Sequence, residues 1–209
     1  MVGRIITTTD DIKEGTAWLA ANHPQFAEAI DLTGQPPLRR RADGFEALLS
    51  AIVSQQISVA AARGIWQRLE TAGAISADAV LALEHEDLRG LGLPNQKATY
   101  AKALATAEID FAALRGQRSE DVVLALTAIK GIGTWTAEIY AMFSLGRADV
   151  FAHGDLALQE AARVLYGLNE RPKEKAMRVM AQQWSPWRAV AARVLWAYYH
   201  VIKEHEGIT

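Results

Sequence analysis

The stretch of this sequence richest in potential chemistry is Leu126-Thr127-Ala128-Ile129-Lys130-Gly131-Ile132-Gly133-Thr134-Trp135-Thr136-Ala137. A helical run ends at an apolar residue, Gly-x-Gly turns the chain, and a second helix begins at once. The two glycines permit positive φ and let another backbone come close. The amides of Gly133, Thr134 and their neighbours then point outward from a fresh helix N-terminus, an arrangement that suits a phosphate oxygen. Such a grip holds a nucleic-acid backbone without reading its bases. The same residues also describe an ordinary tight turn between helices, closed by a glycine cap. Taken alone, the turn leaves both readings open.

A second candidate is Asp155, which precedes the helical run Leu156-Ala157-Leu158-Gln159-Glu160. At a helix start an aspartate is first of all a cap, and Asp149 could serve its loop in the same way. An ionised carboxylate placed there can also stabilise positive charge that develops in a transition state. His153 adjoins this loop and reads as structural. Trp184 and Trp187 flank Pro186 at another helix start and read as packing residues.

Four segments in order give the pattern its specificity: Ser54-Gln55-Gln56-Ile57-Ser58, the hairpin, Asp149-Val150-Phe151-Ala152-His153-Gly154-Asp155, and Trp184-Ser185-Pro186-Trp187-Arg188. Over roughly Asp43 to Tyr199 the chain resembles the helix-hairpin-helix DNA glycosylase superfamily. Within it the chain is similar to the DNA-3-methyladenine glycosylase II group, in a compact form. Some relatives carry an additional N-terminal α/β domain, and the residues before Asp43 are too few to hold one.

The resemblance implies a monofunctional glycosylase, a hydrolase that cleaves the N-glycosidic bond of alkylated purines such as 3-methyladenine in base excision repair. Asp155, 22 positions beyond Gly133, is then the catalytic carboxylate. Trp135 and Trp196 would line the substrate pocket, where an aromatic face attracts a cationic base by roughly 0.5–2 kcal/mol. Bifunctional members carry a lysine where this chain has Trp135, so strand-nicking lyase chemistry is expected to be absent. Some relatives have a second aromatic at the position of Ile139, which implies a wider pocket here. Gln56 would fill the gap left by the extruded base, and Gly131, Gly133, Thr134 and Thr136 would hold the DNA backbone. Backbone carbonyls of Thr127, Ile129 and Ile132 would hold a structural monovalent cation. The implied partner is double-stranded DNA containing damaged bases, bound by a monomer, with no cofactor. Rival readings are a sister glycosylase for deaminated or oxidised bases, a hairpin module that only docks DNA, and a helical scaffold for protein partners.

The elements that must position these residues are helices, because apolar residues recur at helical spacing nearly throughout. Only Val2 to Thr9 is β-branched enough to read as extended. Asp43 with Glu46 reads as a capping box opening a helix that carries Phe45, Leu48, Leu49, Ile52 and Val53. Helices are expected from Ile57 to Leu69, from a Ser76 cap through Leu83, from Asn95 to Ala107, and from a Ser119 cap through Ile129. Others are expected over Thr134 to Ser144, Asp155 to Tyr166, Pro172 to Gln183 and Pro186 to Lys203. The expected fold is all-α, a helix-hairpin-helix glycosylase fold of about ten helices in two lobes flanking a cleft. It reads as one domain over residues 1–209, with the hairpin at about 127–137. Gly34 to Arg41 is the best candidate for a connection to an N-terminal helical piece. Leu88-Arg89-Gly90-Leu91-Gly92 faintly echoes Ile129-Lys130-Gly131-Ile132-Gly133, an echo that is either a coincidence or a second turn near the ligand.

Composition sets limits on these readings. The chain has 209 residues, half of them hydrophobic, enough to bury a core. Cysteine is absent, which excludes disulfides, thiolate zinc sites and cysteine-ligated iron–sulfur clusters. No segment is apolar enough for a membrane span, and no secretory signal is visible at the start, so a cytoplasmic, nucleoid-associated or nuclear place is expected. The net charge of −2 argues against a broad basic surface, so any DNA contact must rest on a local site and on backbone amides.

Overall fold

The computed structural model describes residues 2–205. In chain order the helices are α1 (Thr9–Asn22), α2 (Pro24–Thr33), α3 (Phe45–Ser54), α4 (Val59–Thr71), α5 (Ala77–Ala82), α6 (His85–Gly90) and α7 (Asn95–Thr106). They continue with α8 (Phe111–Gly116), α9 (Ser119–Thr127), α10 (Thr134–Phe143), α11 (Leu156–Leu165), α12 (Glu174–Met180), a 3-10 turn at Ala181–Trp184, and α13 (Arg188–His205). The all-α expectation holds. The extended N-terminal segment forms one isolated bridge, Ile5 with Arg147, and no strand among the described residues. None of the helices among these residues is long and apolar enough to cross a membrane.

The chain divides into two compact units. The first comprises the described parts of Met1–Arg40 and Ala141–Thr209. Its helix α1 opens with a reciprocal cap: Thr8 Oγ1 accepts from the Asp11 amide, and the Asp11 carboxylate accepts from the Thr8 amide at 2.9 Å. The apolar stripe Ile12, Gly15 and Leu19 is buried, and α1 meets α13 at Gly15. A methyl group there would lie 2.6 Å from Val190 and 2.8 Å from Trp187, so only glycine admits this approach. Phe26, Phe151 and Trp184 form a buried aromatic cluster, with Trp184 centred 5.4 Å from Phe26 and 5.2 Å from Phe151. Trp187 is likewise buried, in keeping with the packing role read for both tryptophans. A cis Ser185–Pro186 peptide leads into α13.

The second unit is Arg41–Tyr140. Leu48, Leu49, Ile52 and Val53 are buried as the periodicity of α3 predicts, while Phe45, the first residue of the helix, is only half-buried. The expected Asp43–Glu46 capping box does not form. The cap of α3 is Gly44, at φ +106 and without a side-chain hydrogen bond. The Arg115 guanidinium instead grips the Asp43 carboxylate bidentately at 2.7 and 3.0 Å. Ser76 caps α5 as expected, accepting from the Ala79 amide at 3.3 Å. Ser119 is the first residue of α9 rather than its cap, which is Arg118.

The echoed turn is real but shifted by two residues. Gly92 and Gly131 both sit at φ +99, and each is followed by a buried residue, Leu93 or Ile132, and then by a helix start two residues on.

Candidate active site and hairpin

The hairpin connects α9 to α10 in the second unit. At φ +99 a side chain on Gly131 would be strained, and its Cβ would also collide with Cβ, Cγ and Cδ2 of Tyr100. Ile132 is buried and plugs the turn from within. Gly133 is exposed, and a Cβ built there meets nothing within 4 Å. Gly133, Thr134 and Trp135 are exposed at the entry to α10, with Trp135 at 45%. The Thr136 side chain is buried at 5% exposure, so what it offers an external group is the backbone amide of the third helical position. Of the three residues named for a cation, Thr127 directs its hydroxyl to the Val123 carbonyl at 2.8 Å, and the Ile129 carbonyl accepts from the Ile132 amide at 3.0 Å. A carbonyl keeps a second lone pair, so this donor set remains chemically suited to a hard cation.

Gln56 follows the end of α3. It is exposed and adopts φ +55, in the left-handed region. Ser58, two residues on, caps α4 by accepting from the Ala61 amide at 3.2 Å.

Asp155 lies in the first unit as the cap of α11, with φ −72 and ψ 119. Its Oδ1 accepts from the amides of Ala157 and Leu158, each at 3.0 Å. The indole Nε1–H of Trp196 donates to the same oxygen at 3.2 Å. Asp155 and Trp196, 41 positions apart in the chain, are thus joined by a hydrogen bond. The capping role and a catalytic role are compatible, because the amides that the cap satisfies also fix the carboxylate in place.

Gln159, Phe143 and Arg193, to which sequence reasoning gave no role, pack around the Asp155 loop and its indole partner. Gln159, buried, donates to the His153 carbonyl at 2.9 Å and ties the loop to the helix it precedes. Phe143 lies 5.8 Å from the Trp196 ring at 33°. The Arg193 guanidinium covers Phe143 at 4.6 Å from the ring centre. Arg193 is 3% exposed; burial first, then Arg40 and Arg39, pull its pKa down to about 10. It remains charged at neutral pH and stiffens the aromatic pair by a cation–π contact. At the start of the loop, Asp149 accepts from Arg188 at 2.6 and 2.9 Å and from Ser185 at 2.8 Å. Burial would raise the Asp149 carboxyl, but the Arg188 and Ser185 hydrogen bonds outweigh it and hold the group below its ordinary value. His153 is buried beside Phe151, with ring centres 5.3 Å apart. The contacts of Asp149 with Arg188 and Ser185, of Phe143 with Trp196 and of Arg193 with Phe143 join side chains distant in sequence, and no local pattern announces them.

Comparison with known proteins agrees with this architecture. Residues 49–188 match the model of the HhH-GPD superfamily of base excision DNA repair proteins. The crystal structure of a DNA-3-methyladenine glycosidase from Bacillus halodurans superposes with a TM-score of 0.81 at 32% identity, covering 98% of this chain and 95% of that one. The Schizosaccharomyces pombe 3-methyladenine DNA glycosylase Mag1, in complex with abasic DNA, gives a TM-score of 0.74 at 26% identity over 88% and 95% of the two chains. YfjP of Bacillus subtilis is 28% identical over 165 residues, which are 73% of this chain and 58% of YfjP. The chain belongs to the HhH-GPD superfamily of base excision DNA repair proteins, and its fold is the helix-hairpin-helix glycosylase fold.

Proposed function

We propose that this protein is a monofunctional DNA glycosylase that hydrolyses the N-glycosidic bond of alkylated purines, 3-methyladenine-like lesions above all, in duplex DNA. The observation that carries this reading is the Asp155 carboxylate at the start of α11, held by two amides and by the Trp196 indole. The similar proteins named above as 3-methyladenine glycosylases support the substrate class.

The chemistry follows from a charge and a ring. As the bond from C1′ to the base nitrogen lengthens, its electron pair leaves with the base and positive charge grows on the sugar. Asp155 stabilises that charge in place. Water then adds to C1′, and its surplus proton passes to solvent or carboxylate. An alkylated purine is already cationic and departs neutral, so no dedicated general acid is needed. The target base must first leave the stack, at a cost of a few kcal/mol that is least for a damaged or poorly paired base. Trp196, adjoining the carboxylate, and the half-exposed Trp135 each offer a face to a cationic base.

On this reading Gly133, Thr134 and the Thr136 amide hold a phosphate, Gly131 shapes the turn, and Gln56 enters the emptied position in the duplex. The carbonyls of Thr127, Ile129 and Ile132 hold a monovalent cation at the turn. The protein works as one monomeric domain on damaged double-stranded DNA. Trp135 cannot form a Schiff base, so the product is an intact abasic strand.

The experiment is incubation with methylated duplex DNA, followed by chromatography of released bases and borohydride treatment of the mixture. Release of 3-methyladenine without a trapped protein–DNA adduct is expected. No released base, or release only of deaminated or oxidised bases from a lesion panel, would refute the substrate class. A trapped adduct would refute the monofunctional assignment.

A further inference from the structure

The loop between α3 and α4 carries Gln56 at its tip, and the tip is fastened from below. Lys97, on α7, is 8% exposed, and its ammonium donates to the carbonyls of Val53 at 2.7 Å and Gln55 at 2.6 Å. These are the terminal carbonyls of α3, the groups a helix leaves without internal partners. The Gln55 side chain donates in turn from Nε2 to the Gly131 carbonyl at 3.0 Å. Three positions along α7 from Lys97, Tyr100 lies against Gly131. One stretch of α7 thus seats both the loop and the hairpin, and Gln55 bridges the two.

Lys97 is a costly residue for this place. A buried ammonium loses hydration, and burial lowers its pKa. It also stands in the first turn of α7, where the helix dipole disfavours a cation. An apolar side chain of similar length would fill the space without either cost. What the ammonium adds is direction: it holds the Val53 and Gln55 carbonyls on one point, immediately before the left-handed Gln56. On the far side the Ser58 cap begins α4, so the exposed tip is anchored at both ends. Val59, 86% exposed, presents an apolar side chain next to it.

We infer that Lys97 and Gln55 are positioning residues, a latch that fixes the Gln56 tip to the phosphate-holding hairpin so that it meets the base stack already shaped for insertion. The inference rests on the glycosylase reading and deepens it. With the latch in place the ordering of the loop is completed in folding rather than during base extrusion.

The test uses the full chain and a duplex with a stable abasic analogue opposite 2-aminopurine, whose fluorescence changes when a side chain enters the vacated position. Lys97→Met and Gln55→Ala, checked for folding by thermal unfolding, should bind undamaged duplex much as the parent does. They should lose the fluorescence response and excise 3-methyladenine about tenfold more slowly, with kcat falling more than KM. Lys97→Arg should recover part of both. An undiminished response and rate in the folded variants overturns the inference. Should Lys97→Met fail to fold, Gln55→Ala decides alone, since it removes one hydrogen bond from a half-buried side chain. A parent protein that excises the lesion without any fluorescence response overturns the latch but leaves the function intact. A parent that releases no base at all removes the reading and the inference together.

Discussion

The hairpin and the Asp155 loop hold their functional atoms by opposite means. At the hairpin the groups on offer are main-chain amides, and side chains matter chiefly where they are missing: Gly131 under Tyr100, and Gly133 open to solvent. Around Asp155 the placement depends on side chains, namely the Trp196 indole, the Gln159 amide, and the Asp149–Arg188 pair. Backbone amides bind phosphate wherever it occurs and so supply affinity without selectivity. A carboxylate aimed by side chains acts on one reacting centre and can be lost by a single substitution. Damage to the first region should therefore appear in binding and folding, and damage to the second in rate.

The sharpest test of that division is Asp155→Asn. Asparagine caps a helix nearly as well, so the melting temperature should move little. The rate of 3-methyladenine excision should fall on the order of 100-fold or more, while affinity for abasic DNA persists. Near-parental excision by this variant would end the catalytic assignment.

The hairpin glycines provide a contrast within one turn. Gly131→Ala forces a side chain into positive φ and against Tyr100, and should cost about 1–3 kcal/mol in urea unfolding. The Cβ that Gly133→Val adds meets nothing within 4 Å, so stability should change by less than about 1 kcal/mol. It should nevertheless weaken duplex binding about tenfold, equally for damaged and undamaged DNA. Equal affinity for the parent and Gly133→Val would show that the hairpin does not hold DNA.

Trp196→Phe keeps a ring and removes the donor to Asp155, and should slow excision about tenfold in single-turnover kinetics, as expected for losing a hydrogen bond to a charged group. An unchanged rate would reduce Trp196 to a packing residue. The smallest effect lies away from either region. The Thr7 and Thr8 amides hold the Asp11 carboxyl well below the usual carboxylate range, with Thr8 Oγ1 and Arg4 assisting against burial. A group with a depressed folded pKa contributes stability above its unfolded pKa and loses it as pH falls. Asp11→Asn should therefore lower stability at neutral pH and flatten the decline in unfolding free energy below about pH 4. Parallel parent and variant curves would show that the cap contributes nothing.

The longer helices from α3 onward were legible because each repeats its apolar stripe over several turns, as α3 does with Leu48, Leu49, Ile52 and Val53, whereas α1 and α2 were read only as an N-terminal helical piece without bounds. The six-residue helices α6 and α8 bury one residue each, Leu88 and Leu114, too few to show a period. Asp43 matched a capping pattern but was claimed by Arg115, 72 positions away, and local spacing cannot register such competition. The candidate site divides in the same way. Gly131, Gly133 and Asp155 stand in short ordered motifs. Lys97, Gln159 and Phe143 act through contacts that exist only after the chain has folded.

One feature of the Asp155 loop bears on time rather than energy. Fastened by Asp149 to Arg188 and Ser185 at its start and by Gln159 near its end, the loop has little left to rearrange when a lesion arrives. On the glycosylase reading proposed above, the slow event then belongs to the DNA. Turnover should follow how often a given base pair opens, so the same lesion placed opposite a mismatched partner should be released sooner than opposite its proper one. Equal release rates in the two contexts would return the slow step to the protein.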